Sequence, residues 1–200
     1  MEDETPARRR APALLLLAFI IGALGLGGCQ QVIEPPANLS DPVPVFVIDY
    51  GRHASLALPD GEKGLVEWSW GDWNWFALER TGILQGLQAL FVSPRSTLAR
   101  RELAFQPAPE ALAARVGAEE VIALQVERER ALTLLRGLEA RWRRREEEAV
   151  THPGGRSFVP DEARYSLFNN SVHELARWLE ALGAKVRGMG VTANFKLRPP

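Results

Sequence analysis

Residues 65–72 read Leu65-Val66-Glu67-Trp68-Ser69-Trp70-Gly71-Asp72, and their alternation decides the fold class. Val66, Trp68 and Trp70 fall on one side and Leu65, Glu67 and Ser69 on the other, which is the period of a β-strand. On the N-terminal side, Val45-Phe46-Val47-Ile48 is a β-branched apolar run closed by Asp49-Tyr50-Gly51, and His53 to Leu58 leads into the turn Pro59-Asp60-Gly61. These are two further strands. On the C-terminal side, Val121 to Val126 is a fourth, and from Glu127 the period changes: Ala131, Leu135, Leu138 and Trp142 recur at helical spacing. The opposite face of that helix carries Arg128, Glu129, Arg136, Glu139 and Arg143, with Glu139 and Arg143 one turn apart and able to pair. Thr81 to Leu90 and parts of Pro107 to Arg115 have the composition of short helices or ordered loops. Thr151-His152-Pro153-Gly154-Gly155 is a loop, and Asn169-Asn170-Ser171 opens a second helix. Its apolar stripe is Val172, Leu175, Ala176 and Leu179, its stop is Gly183, and Val186 to Phe195 returns as a terminal strand. The sum is an α+β fold, an antiparallel sheet packed against helices.

The composition sets the class without naming a partner. The 200 residues carry 24 Lys+Arg against 25 Asp+Glu and are 46% hydrophobic, an ordinary globular balance that excludes a strongly basic nucleic-acid binder. One Cys excludes an internal disulfide framework, a Cys-rich zinc site and a Cys-X-X-Cys redox motif. No Gly-rich phosphate loop and no His/Asp cluster with metal spacing is present, so neither cofactor nor metal is expected. The run Arg141, Arg143, Arg144, Arg145 followed by Glu146-Glu147-Glu148 neutralises itself and reads as a solvated helix end.

Arg8-Arg9-Arg10 followed by Ala11 to Gly28, eighteen uncharged residues, is a basic n-region and an apolar h-region. The stretch could almost span a bilayer as a plain anchor, but Gly22, Gly25, Gly27 and Gly28 weaken it as a permanent helix. Leu26-Gly27-Gly28-Cys29 resembles a bacterial lipobox, which implies removal of residues 1–28 and acylation of Cys29. With Gln30 rather than Asp after the Cys, the resemblance to Gram-negative lipoproteins implies the outer membrane, facing the periplasm. Residues 29–44, with Pro35-Pro36, Pro42 and Pro44, then read as a flexible tether and 45–200 as the folded domain. Acylated Cys29 leaves the domain without a thiol for catalysis.

Three stretches together resemble one family. They are Gly51-Arg52-His53-Ala54-Ser55-Leu56-Ala57-Leu58-Pro59, then Glu67-Trp68-Ser69-Trp70-Gly71-Asp72, and then Tyr165-Ser166-Leu167-Phe168-Asn169-Asn170-Ser171 continuing through Arg177-Trp178-Leu179 to Leu182-Gly183. They are similar to the bacterial group catalogued as domain of unknown function 2459, sometimes encoded near urease clusters. That group is similar in design to circularly permuted papain-like proteins, in which a strand His precedes a polar residue and the nucleophile comes last, at a helix N-terminus. The resemblance implies His53 as base, Glu67 as its orienting partner and Ser171 at the nucleophile position, where family members carry Cys. A helix N-terminus lowers a thiol's pKa, but a hydroxyl is too weak an acid to respond and needs a placed base.

Each of these residues also has an architectural reading. Ser171-Val172-His173-Glu174 matches the S-x-x-E capping box, and a hydroxyl aimed into the helix end is not aimed at a substrate. His53 can be a satisfied core histidine, and Glu67 can lie on a solvated face. His173 lies off the apolar stripe and reads as exposed, with a second reading as a substitute for His53, and His152 reads as incidental. Trp68 and Trp70 share a packing face, whereas Trp73 and Trp75 lie past Gly71, where they can line a cleft with Trp70, Asp72 and Asn170. The expected function is an envelope lipoprotein with a degenerate permuted papain-like domain that binds a peptide, glycan or acyl ligand without efficient turnover. The alternatives are a weak serine-dependent hydrolase or acyltransferase, and a scaffold lipoprotein that docks a protein partner.

Overall fold

Alternation along residues 64–72 places that strand in the middle of a seven-stranded sheet in which every pairing is antiparallel. The structure is a computed structural model that describes residues 30–51, 53–61, 64–79, 95–104, 108–166, 169–188 and 193–198. The large sheet runs β6(Glu120–Glu127), β2(Pro42–Asp49), β3(Ala54–Asp60), β4(Gly64–Asp72), β5(Ser96–Ala104), β8(Ser157–Asp161), β7(Val150–Thr151). Helix α1(Pro109–Val116) packs on one face through Leu112, against Phe46, Ile48, Ala57 and Leu65. Helices α2(Arg128–Arg143) and α3(Ser171–Ala181) cover the other, where Leu56, Val66, Trp68, Trp70 and Leu98 meet Ala131, Leu135, Leu138, Trp142, Val172, Leu175 and Leu179. The expected α+β class, with an antiparallel sheet against helices, is what the chain adopts. The lipobox region through Cys29 and the stretch Thr81 to Leu90 lie outside the described residues.

The helix read from Ala131, Leu135, Leu138 and Trp142 forms with those four residues buried, and Trp142 meets Trp68 edge-on at 6.1 Å. In α3 the buried face is Val172, Leu175, Trp178 and Leu179, with Ala176 only half-buried. Its stop is Gly183 in the left-handed region at φ +92°, a conformation that an L side chain rarely adopts. Arg141 departs from the expectation of a solvated helix end. Its guanidinium donates to Asp161 on β8 and to Glu174 on α3, while Trp70 Nε1 donates to Asp161 Oδ2 at 2.8 Å. That cluster joins α2, α3, β4 and β8. Arg143, Arg144 and Arg145 are exposed as read.

The expected tether, 29–44, is corrected at both ends, since β2 already begins at Pro42 and Val43 is buried in the main core. Residues Gln31–Glu34 form strand β1, the centre of a second sheet between β10(Phe195–Leu197), parallel to it, and β9(Lys185–Arg187), antiparallel to it. Ile33 is fully buried in the main core beside Phe195, so the chain is anchored before Pro35-Pro36. The prolines end β1 because they cannot continue its hydrogen-bond ladder. The expected single return from Val186 to Phe195 becomes the two strands that flank β1, with residues 189–192 outside the described set. Ile33→Ala is expected to destabilise the protein by about 2–4 kcal/mol in urea unfolding, as a core truncation does. The same change in a tether would leave the midpoint where it was.

Candidate functional site

A β-strand shows successive side chains to opposite faces, so the register of β3, β4 and β5 fixes which candidates can meet. Leu56 pairs with Trp68 and lies on the helix-covered face, whereas Ala57 pairs with Glu67 and Glu67 with Arg101 on the other. Gly71 follows Glu67 and Ser69 on that second face. A Cβ on Gly71 would meet the Phe76 ring at 2.4 Å, so the missing side chain is what lets Phe76 lie on the sheet. Phe76 belongs to a single π-helical turn, Trp73–Ala77, whose start is capped by Asp72 Oδ1 accepting from the Trp75 N–H at 2.8 Å. His53 packs against Phe76 at 4.9 Å and stacks on Tyr50 at 6.2 Å. Histidine and Phe76 therefore share the face that carries Glu67.

Glu67 is the electrostatic centre of this face. It is 1% exposed, and its Oε1 accepts from Ser55 at 2.7 Å, Tyr50 at 2.8 Å and Arg156 at 2.8 Å, while Oε2 accepts from Arg101 Nε at 2.7 Å. Burial alone would raise its proton affinity, but Arg156 and Arg101, with the Ser55 and Tyr50 hydrogen bonds, hold the carboxyl below its usual range. Burial and the adjacent carboxylate push the Tyr50 phenol up to about 12, so it serves as a neutral donor. His53 is 8% exposed, and burial, reinforced by the Arg156 cation and only partly opposed by Glu67, lowers it to about 4. Its Nδ1 has no partner among the described residues. The imidazole is neutral at physiological pH and is not hydrogen-bonded to Glu67, so the orienting contact expected between them is not formed.

Ser171 lies on the other face. It is the first residue of α3, beside Val172 in the core that contains Trp68 and Trp70, and it hydrogen-bonds the Tyr165 phenol through both side chain and backbone. Tyr165 rests on the Trp70 ring at 5.4 Å. Burial raises the phenol's pKa, the Ser171 hydrogen bonds lower it and the nearby Asp72 carboxylate raises it. The sheet thus separates the hydroxyl from the imidazole: His53 and Glu67 share one face, Ser171 the other, and the three do not converge.

The capping assignment also moves by one position. Asn170, not Ser171, is the N-cap, its Oδ1 accepting from the N–H groups of Val172 at 3.0 Å and His173 at 3.2 Å. Glu174 does not reach back to the cap; it is 6% exposed and receives Arg141, Arg177 and Trp178 Nε1. His173, expected to be exposed, is half-buried with Nδ1 2.8 Å from Asn170 Oδ1. Among the residues expected to line a cleft, Trp70, Asp72, Trp73 and Asn170 are buried and architectural. Trp75 does line a groove. The groove has a volume of about 690 Å³ and is walled by Trp75, Phe76 and Phe158, with Arg101, His152 and Arg156 along its side. His152 is part of its architecture, with Nε2 2.9 Å from the Ala77 carbonyl and its ring 4.6 Å from Phe158.

Arg101, Arg156 and His152 were not among the sequence candidates. Arg101 sits directly opposite Glu67, a cross-strand complement that becomes legible only once β5 is known to be a strand. Among the described residues, no group of three or more His, Cys, Asp or Glu could hold a metal ion, and no helix is long and apolar enough to cross a membrane. A scan against protein-family models, a search of curated proteins and a search of solved structures each returned no match to this chain.

The His53 environment predicts an acid sensitivity that begins above the carboxylate range. The unfolded chain binds a proton at an ordinary His value near 6.5 and the folded one only near 4, so stability falls as pH drops through 6.5 and levels off below 4. Glu67, held low, adds a loss that starts only below its ordinary value of 4.5. His173 is also lowered by burial and contributes to the first slope, so the comparison is between variants. Urea unfolding at pH 7 and pH 5 is expected to differ by roughly 2 kcal/mol more in the wild type than in His53→Phe.

Proposed function

We propose that the chain is an envelope lipoprotein, anchored through Cys29, whose domain of permuted papain-like descent binds a ligand without turning one over. The observation that carries the reading is the placement of His53 and Ser171 on opposite faces of the sheet. Chain order along the domain, a histidine ahead of β3, a carboxylate on β4 and a helix N-terminus laid over β3 and β4, follows the layout of that design. The reacting groups do not follow it. A serine needs its proton taken during attack, and the base must lie within about 3 Å of the hydroxyl or one water away. Ser171 instead has Tyr165, a phenol that burial keeps protonated and so unable to take the serine's proton, and the imidazole of its own helix, His173, has Nδ1 2.8 Å from the capping Asn170 Oδ1. What the domain does offer is a half-open aromatic groove floored by an ion cluster on the His53 face.

Two measurements test this reading. Intact-mass analysis after incubation with a fluorophosphonate is expected to show no adduct on the folded wild-type chain. A stoichiometric adduct at Ser171 would restore the serine hydrolase or acyltransferase alternative. In detergent phase partitioning of cells expressing the full chain, Cys29→Ala is expected to move the protein from the detergent to the aqueous phase. Retention in the detergent phase would refute the lipid anchor and favour an uncleaved apolar segment.

A further inference from the structure

We infer that Arg101 and Arg156 form a carboxylate-binding subsite in the groove walled by Trp75, Phe76 and Phe158. The inference rests on the reading of the groove as a ligand site and names the chemistry it takes.

Two guanidinium groups converge on one carboxylate. Glu67 supplies a single negative charge to both, Tyr50 is a neutral phenol and His53 a neutral imidazole, so the cluster itself holds one positive charge, and the other carboxylate lining the groove, Glu79, is exposed to solvent beside His152. Arg101 uses Nε on Glu67 and Nη2 on Glu67 and Tyr50, and Arg156 uses Nη2 on the same pair. Arg101 Nη1 and Arg156 Nε and Nη1 have no protein acceptor among the described residues, and neither guanidinium is sealed: the side chains are 18% and 24% exposed, and both line the groove. The atoms bonded to Glu67 and Tyr50 are fixed while the remaining donors carry no protein acceptor among the described residues, which makes a preorganised anion site. Glu67, Ser55 and the face of Tyr50, over which Arg156 lies at 5.4 Å, hold the donors in place without occupying them.

The rest of the groove selects what carries the charge. A guanidinium fork matches the planar geometry of a carboxylate, and the three aromatic walls favour a flat or ring-bearing body beside it. Glu79 stands at the rim near His152, 3.4 Å from its Nδ1, and discourages a second negative charge there. A monoanionic carboxylate on a ring-bearing body fits these terms. Such a group occurs on a sugar acid and at the carboxyl end of a peptide with an aromatic last residue.

Calorimetric titration of the detergent-solubilised full chain separates these sources with two matched pairs: methyl glucuronide against methyl glucoside, and acetyl-alanyl-phenylalanine against its carboxamide. In at least one pair the acid is expected to bind tenfold or more tightly than its neutral partner. The favoured pair identifies the source. Arg156→Gln is expected to remove that preference, and Arg156→Lys to retain part of it. Equal binding of acid and neutral members in both pairs overturns the subsite while leaving the groove a ligand site. An acid preference that survives both Arg156→Gln and Arg101→Gln overturns it as well. If none of the four probes binds the wild type, the groove is not a site for this chemistry and both this inference and the groove reading fall. The comparison within each pair uses unaltered protein, so a variant that fails to fold does not remove the test.

Discussion

The structure depends on the strict alternation of β4. A pleated strand gives each residue one face only, and β4 sits between β3 and β5 with both faces covered. Trp68 and Trp70 go to the helices, where Trp68 meets Trp142 and Trp70 carries Tyr165. Glu67 must then go to the other face, 1% exposed, and a buried carboxylate persists only when its charge and lone pairs are answered. Arg101 from β5 and Arg156, immediately before β8, answer the charge, and Ser55 from β3 with Tyr50 completes the shell. One residue therefore ties together β3, β4, β5 and the approach to β8. Removing one partner of such a cluster costs on the order of 3–5 kcal/mol because the rest is left buried and unbalanced.

The same alternation decides the chemistry. For an imidazole to serve a nucleophile on α3, it would have to emerge on the face where α3 lies. His53 instead meets Tyr50 and Phe76 on the Glu67 face, with Phe76 held there by the absence of a side chain at Gly71. At the helix end, Asn170 takes the capping role and leaves the Ser171 hydroxyl to Tyr165. The field of the helix N-terminus acts on Ser171 but cannot ionise an alcohol. The result is a domain in which a histidine, a carboxylate and a hydroxyl each have a role in architecture, and in which two arginines bring unused donors to the groove.

What the sequence made legible follows the strength of local periodicity. Leu65 to Trp70 and the stripe Ala131, Leu135, Leu138, Trp142 are readable because each pattern lies within one regular element whose period fixes which residues share a face. Strand β5 was not, because Arg100, Arg101 and Glu102 sit mid-strand and erase its apolar signal; Arg101 is tolerated there only because Glu67 lies opposite, thirty-four positions away. Strand β1 was hidden by the prolines that follow it, since four residues carry too little pattern to show that Ile33 enters the core from a partner strand near the C-terminus. The sequence does not distinguish Asn170 from Ser171 as the cap because Asn and Ser both cap well, and which of them leaves the helix depends on where Tyr165 lies. The groove combines residues from 75 to 158, and a pairing over that span leaves no mark in local spacing.

The central claim is that the sheet stands between His53 and the residue at position 171. Placing a thiol there tests it directly: the rate of alkylation of Ser171→Cys by iodoacetamide, in a Cys29→Ala background, measured across pH 5 to 9 with and without His53→Ala. The account predicts identical pH profiles for the two proteins, with reactivity set by the helix end, its own His173 and Tyr165. A thiolate present near pH 6 that disappears when His53 is replaced would put the two groups on one face and contradict it.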